Sequence, residues 1–170
     1  MKSRAIAVLA ASLLALAGCD KPKARQVPTE PMAVKGHSTD PLPQNPEWLT
    51  VLLGRKMAEV MPQKGDCVGN TDVIETRFEG ASPGARIIGW GWDNEAMAPT
   101  SRVVLVDGSG TIVGGGETGL ARPDVPAARP NITTPNVGWS ATTALTTGAL
   151  DTFGITGGGQ GTCFLGHIEL

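Results

Sequence analysis

The chain has 170 residues, 14 Lys+Arg against 16 Asp+Glu, 41% hydrophobic residues, 23 Gly, 13 Pro, three Cys and seven aromatics, none of them Tyr. That length builds one ordinary domain and little more. A net charge of −2 without a basic run excludes a generic electrostatic binder of nucleic acid, which needs clustered Lys and Arg, and two His with three scattered Cys offer no zinc spacing.

At the start of the chain, Lys2 and Arg4 precede an apolar run, Ala5 to Ala17, interrupted only by Ser12. The run is too short for a permanent membrane span and has the charge and length of a signal peptide over residues 1–18. Leu16-Ala17-Gly18-Cys19 resembles the lipobox of bacterial lipoproteins. The resemblance implies cleavage before Cys19 and acylation of its thiol, palmitate included, with two or three chains holding the protein stably on a membrane. It places the mature chain in the bacterial cell envelope, facing the periplasm. Asp20 resembles the signal that retains such proteins in the inner membrane of enteric bacteria, but other bacteria read that position differently, so inner and outer membrane both stay open.

Loss of Lys2 and Arg4 with the signal leaves 12 Lys+Arg against 16 Asp+Glu, a net charge of −4, so anionic headgroups do not attract the mature protein. Residues 20–46 hold six of the prolines and no periodic apolar pattern, which predicts a disordered, lipidated tether over 19–45. His37 within it is expected to be solvent-exposed and without a role.

Asn45-Pro46-Glu47 reads as a helix start, with Asn as the N-cap, Pro at the first position and an acid in the first turn. Leu49, Leu52, Leu53, Met57, Val60 and Met61 follow at helical spacing, predicting one amphipathic helix that stops at Pro62 to Gly65 and, with its turn, covers 46–64. Its stripe packs on the following domain, completing a small core, in preference to lying on the bilayer or a partner helix.

From residue 65 to 170 the pattern changes to short β-like runs separated by Gly, Pro, Asn and Asp. Candidate strands are Val73 to Phe78, Arg86 to Trp92, Arg102 to Val106, Thr111 to Gly115, Val137 to Leu145, Ala149 to Thr156 and Thr162 to Ile168. Asp107-Gly108-Ser109-Gly110 reads as a tight hairpin whose Asp-Gly supplies positive φ angles, and Gly157-Gly158-Gly159 closes a second. Seven short strands with turn signals predict a mainly β fold, an antiparallel β-sandwich behind one amphipathic helix. Cys67 and Cys163 are the thiols left once Cys19 is lipidated, and in an oxidising envelope they are expected to pair. A bridge closing so long a loop stabilises the fold by about 4 to 5 kcal/mol on the chain-entropy model.

Ile88 to Asp93, Arg102 to Asp107, Ile112 to Gly114, Gly119 to Val125 and Val137 to Trp139 together resemble a small extracytoplasmic β-module found at the C-terminal ends of some bacterial membrane glycosyltransferases. The resemblance covers about residues 65–170 and implies a β-sandwich accessory domain with no catalytic residues to carry over.

Other motifs carry less. Gly114 to Gly119 fits the Gly-x-Gly-x-x-Gly fingerprint but runs into Arg122-Pro123 and Pro126 where a helix should point N–H groups at a pyrophosphate, and so reads as a flexible strand end. No cofactor follows from it. Asp93, Asp107 and Asp124 match no calcium loop, so no metal is assigned. His167 belongs to the folded region, and an enzyme reading would pair it with an aspartate; without a Gly-x-Ser-x-Gly elbow the chain is read as a non-enzyme. Trp90 and Trp92 alternate with Gly89 and Gly91 and share a strand face. With Trp139 they form either a sugar platform or core, and core is preferred. Arg122 and Asp124 read as a loop clamp before a ligand site. The expected function is a binding or assembly module for an envelope protein, with cell-envelope polysaccharide as the alternative ligand.

Overall fold

A computed structural model describes residues 33–77, 82–159 and 161–170; the signal peptide, Cys19 and most of the expected tether lie outside them. Ten strands form one sheet. In chain order they are β1 (Val34–His37), β2 (Gln63–Lys64), β3 (Cys67–Arg77), β4 (Gly84–Asp93), β5 (Ala98–Pro99), β6 (Arg102–Asp107), β7 (Ile112–Leu120), β8 (Gly138–Thr143), β9 (Ala149–Ile155) and β10 (Gly161–Glu169). The helices are single turns or little more: α1 (Glu47–Thr50), α2 (Met57–Val60) and α3 (Asp124–Ala128).

The order across the sheet is β1-β3-β4-β8-β7-β6-β9-β10-β2, with β5 on β4. From β3 to β10 every neighbouring pair is antiparallel, while β1 adds parallel to β3 and β2 parallel to β10. The chain runs from β2 into β3 through Gly65 and Asp66 alone, so the two ends of the sheet must come together. They do so where the Gly65 N–H donates to the Thr162 carbonyl at 2.9 Å and where Cys67 and Cys163 form the expected disulfide across 5.5 Å between Cα atoms.

The mainly β expectation holds: the described strands pair in one multi-strand sheet that curls until β3 and β10 meet at the disulfide, and alternating apolar patterns are the same in a sandwich and in a curled sheet. Each of the seven expected strands overlaps a long one, although β3 already begins at Cys67 and β7 runs on to Leu120; β1, β2 and β5 are additional, and β1 takes Val34 to His37 out of the expected tether. Parallel pairing such as Val34 with Val73 is made by the backbone, so it needs no apolar periodicity.

Three apolar clusters follow from the curl. Ile74, Ile87, Val103, Leu105, Trp139, Leu150, Leu165 and Ile168 fill the inner face. Leu49 and Met61, with Leu52, Met57 and Val60 against them, cover Val104, Val106, Ile112 and Ile155 on the outside. Val125, Ile132 and Val137 cover Trp90 and Trp92 on another outer flank. The apolar stripe of residues 49–61 therefore packs on the domain, but not as one helix. Gly54 turns at φ +78°, its N–H donates to the Ile112 carbonyl at 2.9 Å, and the Ile112 N–H returns to the Arg55 carbonyl at 2.9 Å. A short helix is marginal by itself, and backbone bonds to a sheet outcompete its middle turn. Asn45 does not cap α1; its Oδ1 accepts from the Thr142 hydroxyl at 2.9 Å.

Two turn expectations also change. In the β6–β7 hairpin the positive φ falls at Gly110, +80°, closing a three-residue loop held by the Asp107 carboxylate, which accepts from the Ser109 and Thr111 N–H groups at 2.9 and 3.0 Å. Gly114 to Gly119 lies within β7, with Gly114 to Glu117 paired by both β6 and β8 and Thr118 by β8, so most of it is strand interior.

Candidate functional site

Beyond the disulfide the seam between β3 and β10 is not zipped. Gly65 to Thr162 is the last backbone bond across it among the described residues. β3 bulges between Thr71 and Val73 and β10 between Phe164 and Gly166, and bulges turn strands apart. β1 then occupies the β3 edge from Val73 onward. The result is a groove of about 550 Å³ at the mouth of the curl, within the size of small-ligand sites.

Ile74, Leu165 and Ile168 of the inner core reach its floor, and Lys35, Asn70, Thr71, Phe164, His167 and Glu169 contribute to its walls. Thr71 is 5% exposed and its Oγ1 has no hydrogen-bond partner among the described residues. A Cβ built at Gly166 would meet only Thr71 Oγ1, at 3.9 Å. Phe164 is 54% exposed and stands edge-on to Phe153, with 5.6 Å between ring centroids. On its other side a second groove, about 350 Å³, is lined by Met57, Met61, Pro62 and Phe153.

His167 stands opposite Asp151 of β9, with Nδ1 2.7 Å from Asp151 Oδ1 and Nε2 3.5 Å from Glu169 Oε1. The bond to Asp151, and then the two nearby carboxylate charges, hold its pKa above the ordinary histidine value. The aspartate of the enzyme reading is thus Asp151, but both ring nitrogens face acids, an arrangement suited to an ion pair.

The other predicted residues lie elsewhere. Trp90, Trp92 and Trp139 are 5, 1 and 0% exposed, so all three sit in apolar clusters and none presents an open ring face. Trp90 and Trp92 share the outer face of β4, whereas Trp139 points inward from β8, so the three do not form one surface. Arg129 places its guanidinium 5.1 Å from the Trp90 ring. Arg122 and Asp124 pair with each other through two bonds, Nε to Oδ1 at 2.9 Å and Nη2 to Oδ2 at 2.6 Å, and Arg122 Nη1 also donates to Asp72 at the β3 bulge. Asp124 is held below the usual carboxylate range by the Arg122 bond, and Arg122 is raised, first by that same bond. The clamp pins the loop over Trp90 to β3, with its donors engaged.

Sequence reasoning missed Lys35, Thr71, Phe164 and Gly166. One signal was available: Phe164-Leu165 puts two large apolar residues side by side in a strand, so one had to face out.

Among the described residues no group of acids, His and Cys could hold a metal, and no helix is long and apolar enough to cross a membrane. No protein-family model matches the chain, no curated protein is significantly similar to it, and no solved structure matches its fold significantly.

Proposed function

We propose that this chain is an envelope lipoprotein, anchored through a lipid on Cys19, whose curled sheet is a protein-binding or assembly module acting at the β3–β10 seam. The observation that carries the reading is Phe164, half-exposed between two apolar grooves on a strand edge that, among the described residues, no other strand covers beyond Thr162. An aromatic anchor flanked by apolar clefts is the composition of an interface centre. The lipobox-like Leu16 to Cys19 supports the anchor, and the Cys67–Cys163 disulfide fits an oxidising compartment.

A photo-crosslinking amino acid placed at Phe164 of the full-length protein in living cells tests the interface, with the same substitution at exposed Met97 as the control. Discrete protein adducts at position 164, mapping to one segment of one partner and absent at position 97, are the expected outcome. Adducts that are equal at both positions, or glycan adducts alone, would overturn the reading. Cys19→Ser should move the protein from the membrane to the soluble fraction; unchanged membrane retention would refute the lipid anchor. The second reading, an enzyme using His167 with Asp151, draws on their 2.7 Å contact; turnover lost in His167→Ala would support it.

A further inference from the structure

We infer that the smaller groove, about 350 Å³ between α2 and the outer side of β9 and β10, takes one unbranched hydrocarbon chain that ends in a single negative charge, as a free fatty acid does. This goes beyond the protein interface at Phe164. Three observations carry it: the groove is polar at one end, its lining suits hydrocarbon, and its walls offer a peptide little to bond.

Strand pairing sets the polarity. Along one wall Met57, Ala58, Met61, Pro62 and Lys64 follow one another in the chain, and Phe153 with Thr162 to Phe164 forms the other. Lys64 stands opposite Thr162, whereas Met57 packs in the same outer cluster as Phe153, which pairs with Phe164 two positions further along β10. Lys64 and Thr162 therefore mark one end of the groove, and Met57 and Phe153 the other. Lys64 is the one charged residue among those lining it. The acids nearest in sequence are not in the lining: Glu59 is exposed on α2, and Asp66 Oδ2 accepts from Asn94 Nδ2 at 3.2 Å. A cation at one end of an apolar trough is matched by an anion at one end of an apolar chain.

The lining and the backbone select the tail. Met57 and Met61 are unbranched, polarizable side chains that adapt to an irregular apolar guest, and the volume lies at the lower end of small-ligand sites. From Met61, 6% exposed, to Phe164, 54% exposed, the walls run from core to surface, so a chain can enter from solvent. An extended peptide gains its affinity from main-chain bonds along a strand edge. Here α2 bonds within itself, the Met61 N–H donating to the Met57 carbonyl at 2.8 Å, Pro62 has no N–H to give, and Gln63 and Lys64 are paired with Gly161 and Thr162. A hydrocarbon tail needs no such bonds.

The test uses the full-length protein in phosphatidylcholine nanodiscs and, as the probe, myristic acid carrying a diazirine near its methyl end, with adducts mapped by mass spectrometry after photolysis. Adducts should fall on Met57, Ala58 and Phe153, at the tail end of the groove. Unlabelled myristate should compete about tenfold or more better than methyl myristate, the scale of one charge-assisted hydrogen bond. Lys64→Met should remove that preference without changing competition by the ester, and Lys64→Arg should keep it. Ala58→Trp, which fills the groove from an exposed position, should abolish the adducts, with an unchanged melting temperature as the folding control. Equal competition by acid and ester, a preference that survives Lys64→Met, or adducts spread evenly over the domain would overturn the inference. So would groove adducts obtained only when the diazirine is carried by the nanodisc phospholipid, which would make the occupant a bilayer lipid. The two readings fail separately: protein crosslinks from position 164 with no fatty-acid adduct overturn this inference and leave the binding module, and fatty-acid adducts with no protein crosslink do the opposite.

Discussion

At Gly89 a missing side chain is a packing requirement. A Cβ there would lie 2.4 Å from Trp139 Cζ2 and 2.1 Å from the Asn70 carbonyl oxygen, so the indole fills the inner face only because β4 leaves it room. Gly89→Ala should lower the unfolding free energy by about 1 to 3 kcal/mol or more, as overpacking does, measured by urea denaturation. The sequence showed Gly89 and Gly91 flanking Trp90, and hence that two indoles share a face. It did not show that Trp139 comes from the opposite side to use the gap, because that contact spans β4 and β8. His167 yields a second expectation at this scale. NMR titration should find its pKa above 6.5, and Asp151→Asn should bring it back down. Since the folded pKa is the higher one, the stabilisation from this pair is fully present below about pH 6.5 and fades as the pH rises through the folded value. A stability profile that is flat across that window would refute the pairing in solution.

The segment that was expected to be one helix shows what decides an element. Its apolar residues were legible and do bury: Leu49 is 0% exposed. Its shape was not, because Gly54 and Arg55 exchange backbone bonds with Ile112, 57 or more positions away in the sequence, and no local pattern announces a partner at that distance. Leu49→Ala should cost about 2 to 5 kcal/mol by leaving a cavity under α1. Gly54→Ala should cost about 1 to 2 kcal/mol because its φ of +78° is strained for a residue with a side chain. Calorimetry on both variants separates the two mechanisms, and a stabilised Gly54→Ala would argue for the continuous helix instead. The long strands were legible for the opposite reason, since each announces itself by turn residues at both ends, whereas β1 and β2 are recruited by edges the sequence does not display.

For the molecule as a whole, the disulfide joins residues 96 positions apart and sits beside the β2–β10 pairing that helps hold the curled sheet shut. Replacing Cys67 and Cys163 with Ala should remove about 4 to 5 kcal/mol of stability, read from chemical denaturation; a loss below about 1 kcal/mol would show that the β2–β10 pairing closes the seam unaided. The pairing of the two cysteines was legible from their count and from the compartment the sequence leads one to expect. The curl was not, since nothing in a list of strands says which two edges meet. That closure orders events in time. The edge at Gln63 to Cys67 finds its partners only at Gly161 to Cys163. A chain delivered from its N-terminus must therefore keep that edge unsatisfied until Gly161 to Cys163 have emerged. Such high contact order slows folding and prolongs the exposure of an unpaired edge to its neighbours, so the newborn protein is most open to misassembly, and most in need of a chaperone, just before β10 arrives.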